Sequence, residues 1–278
     1  MILTKFVLDV GEGETIDGEV RFPSGPPPRS AVVIAHGFKG FKDWAFFPHV
    51  ATALAEEGFA AVTFNFSRNG VAPSAPEEFT DLESFARNTF SRELSEVGRV
   101  VDATLDGYVG GRPFRRVGLL GHSRGGATCI LAGSADPRVE ALATWGAVAH
   151  FDRWLPDTIR EWREAGRLHV LNGRTGQQMP LNVTLLEDFE TNRERLDVVA
   201  AAARLDVPWL VVHGEDDVTV LVGDAHRLAE ASPKSRLVLI EKAGHTFNVG
   251  HPFEGPSEAL DEALRATTRY FRGRLSLE

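Results

Sequence analysis

A chain of 278 residues, 43% hydrophobic and 25% charged, has an ordinary globular composition and enough apolar side chains for a sizeable core. Its net charge of −9, from 30 basic and 39 acidic residues, argues against nucleic acid or anionic membrane as a partner, because both need a basic face. The single Cys129 excludes an internal disulfide and a cysteine metal cluster, and no apolar run approaches the roughly 18 residues that cross a bilayer.

The first ten residues carry Lys5 and Asp9 and lack the apolar stretch of a signal peptide, so a cytoplasmic location is the expectation. Residues 6–10 and Thr15–Phe22 read as strands joined by Gly11-Glu12-Gly13, and a proline-rich loop follows. Residues 30–36 (SAVVIAH) are apolar and short enough for a buried strand. That strand breaks at Gly37 into a loop holding Phe38, Phe41, Trp44, Phe46 and Phe47. Helical spacing over residues 48–57 stops at Gly58, residues 59–66 form the next strand, and a polar loop runs to about Thr89. Leu94, Val97, Val101 and Leu105 then share one helical face.

The most informative stretch is residues 117–126, an apolar run that ends in Gly121-His122-Ser123-Arg124-Gly125-Gly126 before a helix of small residues. G-x-S-x-G between a strand and a helix is the pattern of a nucleophile elbow. The chain reverses so sharply that the serine takes a strained backbone conformation, and glycine is needed two positions before and after it. The serine hydroxyl then stands at the sheet edge with a helix N-terminus behind it to favour negative charge. Cys129, further into that helix, reads as a buried small hydrophobe.

Val139–Trp145, residues 208–213 and residues 236–241 read as further strands, with helices at residues 221–231 and 256–274. Strands alternating with helices predict an α/β fold, a mostly parallel central sheet with helices on both faces. Residues 151–205 interrupt the alternation with a helix at Pro156–Ala165, a turn-rich stretch at residues 172–176 and one or two more helices. Some fifty residues exceed a plain connection between core strands. We therefore expect a core of residues 1–150 and 206–278 with a cap inserted at 151–205. The loop aromatics Phe41 and Trp44, with Trp154, Trp162 and Met179 of the insert, are candidates to line an apolar or aromatic acyl pocket. At least two of the five loop aromatics are expected to pack a helix onto the sheet instead.

A serine hydroxyl needs a base within hydrogen-bond reach. Of nine histidines, His245 directly follows the last strand, on the carboxyl edge where open α/β sheets build their sites. His251 shares its loop and is the runner-up. The base needs a carboxylate to fix its tautomer, and Glu215-Asp216-Asp217 follow the strand at 208–213. Spacing alone does not separate Asp216 from Asp217.

Together these residues resemble the α/β-hydrolase superfamily, and within it the serine branch that holds cinnamoyl- and feruloyl-type esterases and relatives of dienelactone hydrolase. The marks are His36-Gly37-Phe38, the GHSRGG elbow, and HGEDDVTV followed by AGHTF, so the resemblance runs from His36 to His245. It implies Ser123, Asp217 and His245 as a catalytic triad, Asp217 being the acid three residues after the glycine of a G-x-x-D-x-x-V stretch. It also implies an oxyanion hole from the backbone N–H groups of Phe38 and Arg124. Dienelactone hydrolase uses cysteine where this chain has Ser123. The function implied is hydrolysis of a small-molecule carboxylic ester without metal or organic cofactor. The same triad would serve a thioesterase, an acyltransferase or a small peptidase, whereas a non-catalytic binding relative usually lacks a triad member. Monomer and homodimer are both compatible with the sequence.

Overall fold

The structure, a computed structural model, describes residues 1–26 and 28–276. In chain order its first elements are β1 (Ile2–Asp9), β2 (Thr15–Phe22), β3 (Ser30–Ala35), α1 (Phe47–Glu56), β4 (Ala60–Phe64), α2 (Leu82–Ala86) and α3 (Phe90–Leu105). There follow β5 (Arg116–His122), α4 (Arg124–Ala135) and β6 (Val139–Trp145). The insert supplies α5 (Pro156–Ala165), β7 (Arg167–Leu171), β8 (Gln178–Asn182), α6 (Thr184–Thr191) and α7 (Val198–Arg204). The chain closes with β9 (Trp209–Gly214), α8 (Val222–Ala231), β10 (Ser235–Ile240) and α9 (Glu258–Leu275).

Eight strands form one sheet in the order β1-β2-β4-β3-β5-β6-β9-β10. β1 and β2 join antiparallel, and β4 onward is parallel. Strand alternation divides the core. Val32 and Ile34 of β3, Leu120 of β5 and Trp145 of β6 meet α1 and α9 on one face. Val33, Leu119 and Leu142 meet α3 and α4 on the other. Both faces are covered, which is why these strands read as continuous apolar runs. The chain moves outward one way from β3 to β4 and the other way from β5 to β6. The carboxyl ends of β3 and β5 therefore flank the point where strand order reverses, the crevice in which such sheets build sites.

Two expectations need correction. β1 spans Ile2–Asp9 rather than residues 6–10, because it pairs with the whole of β2, from Ile2 opposite Phe22 to Asp9 opposite Thr15. Ile2, Leu3 and Val7 remain exposed on this edge strand, so no buried alternation marked its start. The insert also contains a hairpin, β7 paired antiparallel with β8, where the sequence suggested only turns. Pro180 in β8 and the short, polar-flanked strands concealed it. Its last helix, α7, packs on α4 and α8 of the body. Among the described residues no helix is long and apolar enough to cross a membrane.

Candidate active site

Ser123 stands between β5 and α4 with φ 56° and ψ −124°, a left-handed backbone that a side chain rarely adopts. Its N–H donates to the Trp145 carbonyl at 2.8 Å, which ties the turn to β6. The glycines have steric causes. A Cβ on Gly121 would stand 2.4 Å from the Gly125 carbonyl oxygen, and one on Gly125 would stand 2.3 Å from that of His36. Both distances are prohibitive, so no other residue fits either position without moving backbone.

His245 Nε2 lies 3.0 Å from the Ser123 hydroxyl, and Nδ1 lies 2.7 Å from Oδ2 of Asp217. Nδ1 must donate to the carboxylate, which leaves Nε2 to accept from the serine. The other Asp217 oxygen accepts from the N–H groups of Thr219 and Val220 at 2.9 and 2.8 Å. Burial pushes the pKa of Asp217 up, but the hydrogen bond and charge of His245, together with these two amides, more than offset it and lower the pKa below the ordinary value. Asp216, its neighbour, is exposed. The turn that follows β9 thus separates two residues that spacing could not. An alcohol, an imidazole and a buried carboxylate in this order can draw the proton from the alcohol as it attacks an electrophile.

The loop after β3 lies against the serine. A Cβ on Gly37 would stand 2.9 Å from the Ser123 Cβ, so only glycine lets the loop approach. His36 fixes this loop from behind: Nδ1 donates to the Gly37 carbonyl at 2.9 Å and Nε2 accepts from the Phe66 N–H at 3.3 Å. Burial lowers the His36 pKa to about 4, so the ring is neutral and keeps that tautomer. Phe38 and Arg124, the next residues of the two loops, both line the cavity beside Ser123. The Arg124 side chain turns to Glu93, Nη2 to Oε1 at 2.8 Å, and lies 4.3 Å over the Phe38 ring.

A cavity of about 370 Å³ opens on Ser123 and His245. Trp154, Val170, Leu181 and Leu185 of the insert supply part of its wall, opposite Phe38, Trp44 and Phe47. The α/β hydrolase family model matches residues 32–262.

The chain belongs to that family.

Family and fold therefore agree with the likeness read from the motifs. A curated relative, the 2,6-dihydropseudooxynicotine hydrolase of Paenarthrobacter nicotinovorans, is 26% identical over 232 residues, 81% of this chain and 54% of that protein. The chain thus spans about half the length of that relative. Among solved structures, Est1E from Butyrivibrio proteoclasticus with ferulic acid bound has a TM-score of 0.76 at 18% identity, covering 97% of this chain and 99% of that one. A dienelactone hydrolase from Anabaena variabilis has a TM-score of 0.63 at 19% identity, with 98% of each chain covered. At such identities the structural likeness establishes the α/β-hydrolase fold.

Of the five residues expected to line a pocket in this family member, Trp44 and Trp154 do. Phe41, Trp162 and Met179 are fully buried and stand behind the wall. Trp162 donates its Nε1–H to the Leu181 carbonyl at 2.8 Å and meets Trp154 edge-on. Phe41 packs edge-on against Phe79 and His251. An insert of this size needs its own buried side chains to hold together, and Trp162 serves that end. His251, the alternative base, accepts from the Ala45 N–H at 3.1 Å and stacks on Trp44 instead of reaching Ser123.

Two residues at the site were not among those expected there. Gly146, at φ 53°, leaves room beside His245: a Cβ there would stand 3.2 Å from Nδ1. Its position after Trp145 at a strand end was the one cue, and only the fold brings it to His245. His213 is the second, with Nε2 donating to the Val220 carbonyl at 2.8 Å and standing 3.4 Å from Asp217 Oδ2.

Proposed function

We propose that this chain is a serine hydrolase that cleaves carboxylic esters with short to medium or aromatic acyl groups. The observation that carries the reading is the unbroken line of hydrogen bonds from Asp217 through His245 to Ser123 at 2.7 and 3.0 Å. Ser123 Oγ attacks the ester carbonyl while His245 Nε2 takes its proton, giving a tetrahedral oxyanion. The N–H groups of Phe38 and Arg124 hold that oxyanion. Collapse expels the alcohol, which takes the proton from His245, and leaves an acyl-serine. Water then repeats the sequence, with His245 as base, and releases the acid and free serine.

Asp217 holds the imidazole in its working tautomer and stabilises the imidazolium formed at each step. The mostly apolar cavity wall suits the acyl group, and residues 151–205 act as a cap that excludes water from it. The curated relative that carries a hydrolase name supports hydrolysis as the reaction class.

The test is Ser123→Ala assayed on p-nitrophenyl butyrate, with thermal unfolding followed alongside. Removing the nucleophile of a comparable triad costs about 10⁶ in kcat, so turnover should fall to background. The melting curve should stay close to that of the wild type. Undiminished turnover in the variant would overturn the reading.

A further inference from the structure

The cavity over Ser123 carries charge of one sign. Lys39, Arg124, Arg153 and Arg174 all line it, and none of its described lining residues is an aspartate or glutamate. One of these cations is paired with an acid: Arg124, with Glu93. Arg153, Lys39 and Arg174 have only carbonyl partners among the described residues, Arg153 donating to Thr219 at 2.7 Å. Lys39 Nζ donates to Leu171 at 3.1 Å, and Arg174 Nη2 donates to the carbonyl of Lys39 itself at 3.3 Å.

Their placement sets like beside like. Burial lowers the Lys39 pKa, and the neighbouring Arg174 charge lowers it further, with no carboxylate acting against either cause. The Arg174 guanidinium lies 5.3 Å from the Trp44 ring centre and 5.9 Å from that of Phe79, a cation–π setting that takes up none of its N–H donors. Two further donors belong to residues of the same wall. Nδ2 of Asn172, a residue only 4% exposed, and Nε1 of Trp44 are buried without an acceptor among the described residues. Both of these buried, unpartnered groups are donors, in a protein whose net charge is −9. Such a set is complementary to an acceptor-rich anion and to nothing cationic.

The anchor is also close to the chemistry. Lys39 is two residues beyond Gly37, which backs onto Ser123. Two trans peptide units span at most about 7.6 Å between Cα atoms, so Lys39 stands within one small molecule's length of the serine. Phe38, Phe90 and Trp154 line the cavity and suit an apolar linker.

We propose that the ligand of this cavity carries a carboxylate held by Lys39 and Arg174, with an apolar segment separating it from the group presented to Ser123. The inference rests on the ester-hydrolase reading for the identity of that group. It adds an anionic substrate class, such as a half-ester of a dicarboxylic acid or an ester of a hydroxybenzoate. A planar guanidinium fork with a neighbouring ammonium matches the two oxygens of a carboxylate.

Two ester pairs test it. Mono-4-nitrophenyl glutarate against 4-nitrophenyl valerate places the charge on the acyl side, and 4-butyryloxybenzoate against 4-butyryloxybenzamide places it on the alcohol side. In at least one pair the anionic ester should have a kcat/KM about tenfold above its neutral partner, and that ratio should fall about tenfold in both Lys39→Gln and Arg174→Gln. Neutral esters cleaved as well as anionic ones in both pairs, with ratios unmoved by either substitution, would overturn the inference and leave the hydrolase reading intact.

Absence of turnover on all four esters would be a failure of the hydrolase reading instead. Calorimetric titration of 3-phenylpropionate against 3-phenylpropanamide then decides the anion site without any chemistry. Carboxylate binding about tenfold tighter than amide, and lost in Arg174→Gln, supports the site; equal binding overturns it.

Discussion

His122, the residue before Ser123, donates its Nε2–H to the backbone carbonyl of His245 at 2.9 Å. The serine's own neighbour therefore holds the loop that carries the imidazole. Burial, followed by the nearby His245, lowers the His122 pKa to about 3, so the ring is neutral and has one N–H to give. A carbonyl accepts only, which assigns that proton to Nε2. Phe46 and Phe47 meet the ring edge-on and hold its plane.

This contact makes His122 a positioning residue. His122→Ala should lower kcat on p-nitrophenyl butyrate by about 10², the scale of a misplacement near 1 Å at a reacting group, with KM nearly unchanged. His122→Gln, whose amide can donate to the same carbonyl, should recover part of that loss. Equal kcat in wild type and His122→Ala, with only the melting temperature reduced, would assign His122 to packing alone.

The glycines of α4 should behave oppositely to one another. A Cβ on Gly125 would meet the His36 carbonyl oxygen at 2.3 Å, whereas one on Gly133 would find its nearest neighbour, Leu205 Cδ2, at 3.6 Å. Gly125→Ala should destabilise by about 3 kcal/mol or more, because backbone must shift to admit the methyl. Gly133→Ala should be neutral or add up to about 1 kcal/mol through helix propensity. Urea unfolding of the two variants checks both signs.

Stability should fall on mild acidification. Burial holds His36 at about 4 and His122 at about 3, and it lowers His213 as well, all from an ordinary 6.5. Between those values the unfolded chain binds protons that the folded chain refuses. The stability these histidines contribute is therefore complete above about pH 6.5 and is lost as pH falls toward the folded values, by up to about 1.4 kcal/mol per unit for each histidine. The lowered pKa of Asp217 extends the loss below about pH 4. Unfolding free energies at about pH 7.5 and about pH 5.5 should differ in that direction, and equal values would contradict the burial argument.

The two tryptophans of the insert should separate by phenotype. Trp162 is fully buried and spends its N–H on Leu181, so Trp162→Ala should cost about 3–5 kcal/mol of stability. Trp154 is partly exposed on the cavity wall, so Trp154→Ala should change the relative rates on acetyl, butyryl and octanoyl esters with a smaller loss of stability. A rate profile that changed with Trp162 and not with Trp154 would reverse these assignments.

Much of this architecture was legible because its causes are local. The apolar runs before Gly37 and Gly121 mark strands buried on both faces, and glycine at 121 and 125 follows from the reversal at Ser123. Asp217 was separable from Asp216 only through the family motif, since which oxygen turns inward depends on amides at 219 and 220. The wall of the cavity was less legible. Trp154 and Trp162 stand on one short segment with similar neighbours, and only the packing of β7 and β8 decides which faces the opening. Lys39 and Arg174 lie far apart in the chain, and neither has a motif around it.

The central claim is that Ser123 is a nucleophile activated by His245. Its most direct test is labelling of the native protein with a fluorophosphonate probe, with the modified peptide located by mass spectrometry. One label on Ser123, abolished by prior urea unfolding and strongly slowed in His245→Ala, is the expected result. A native protein that hydrolyses esters while Ser123 stays unmodified, or that takes the label on another serine, would contradict the account.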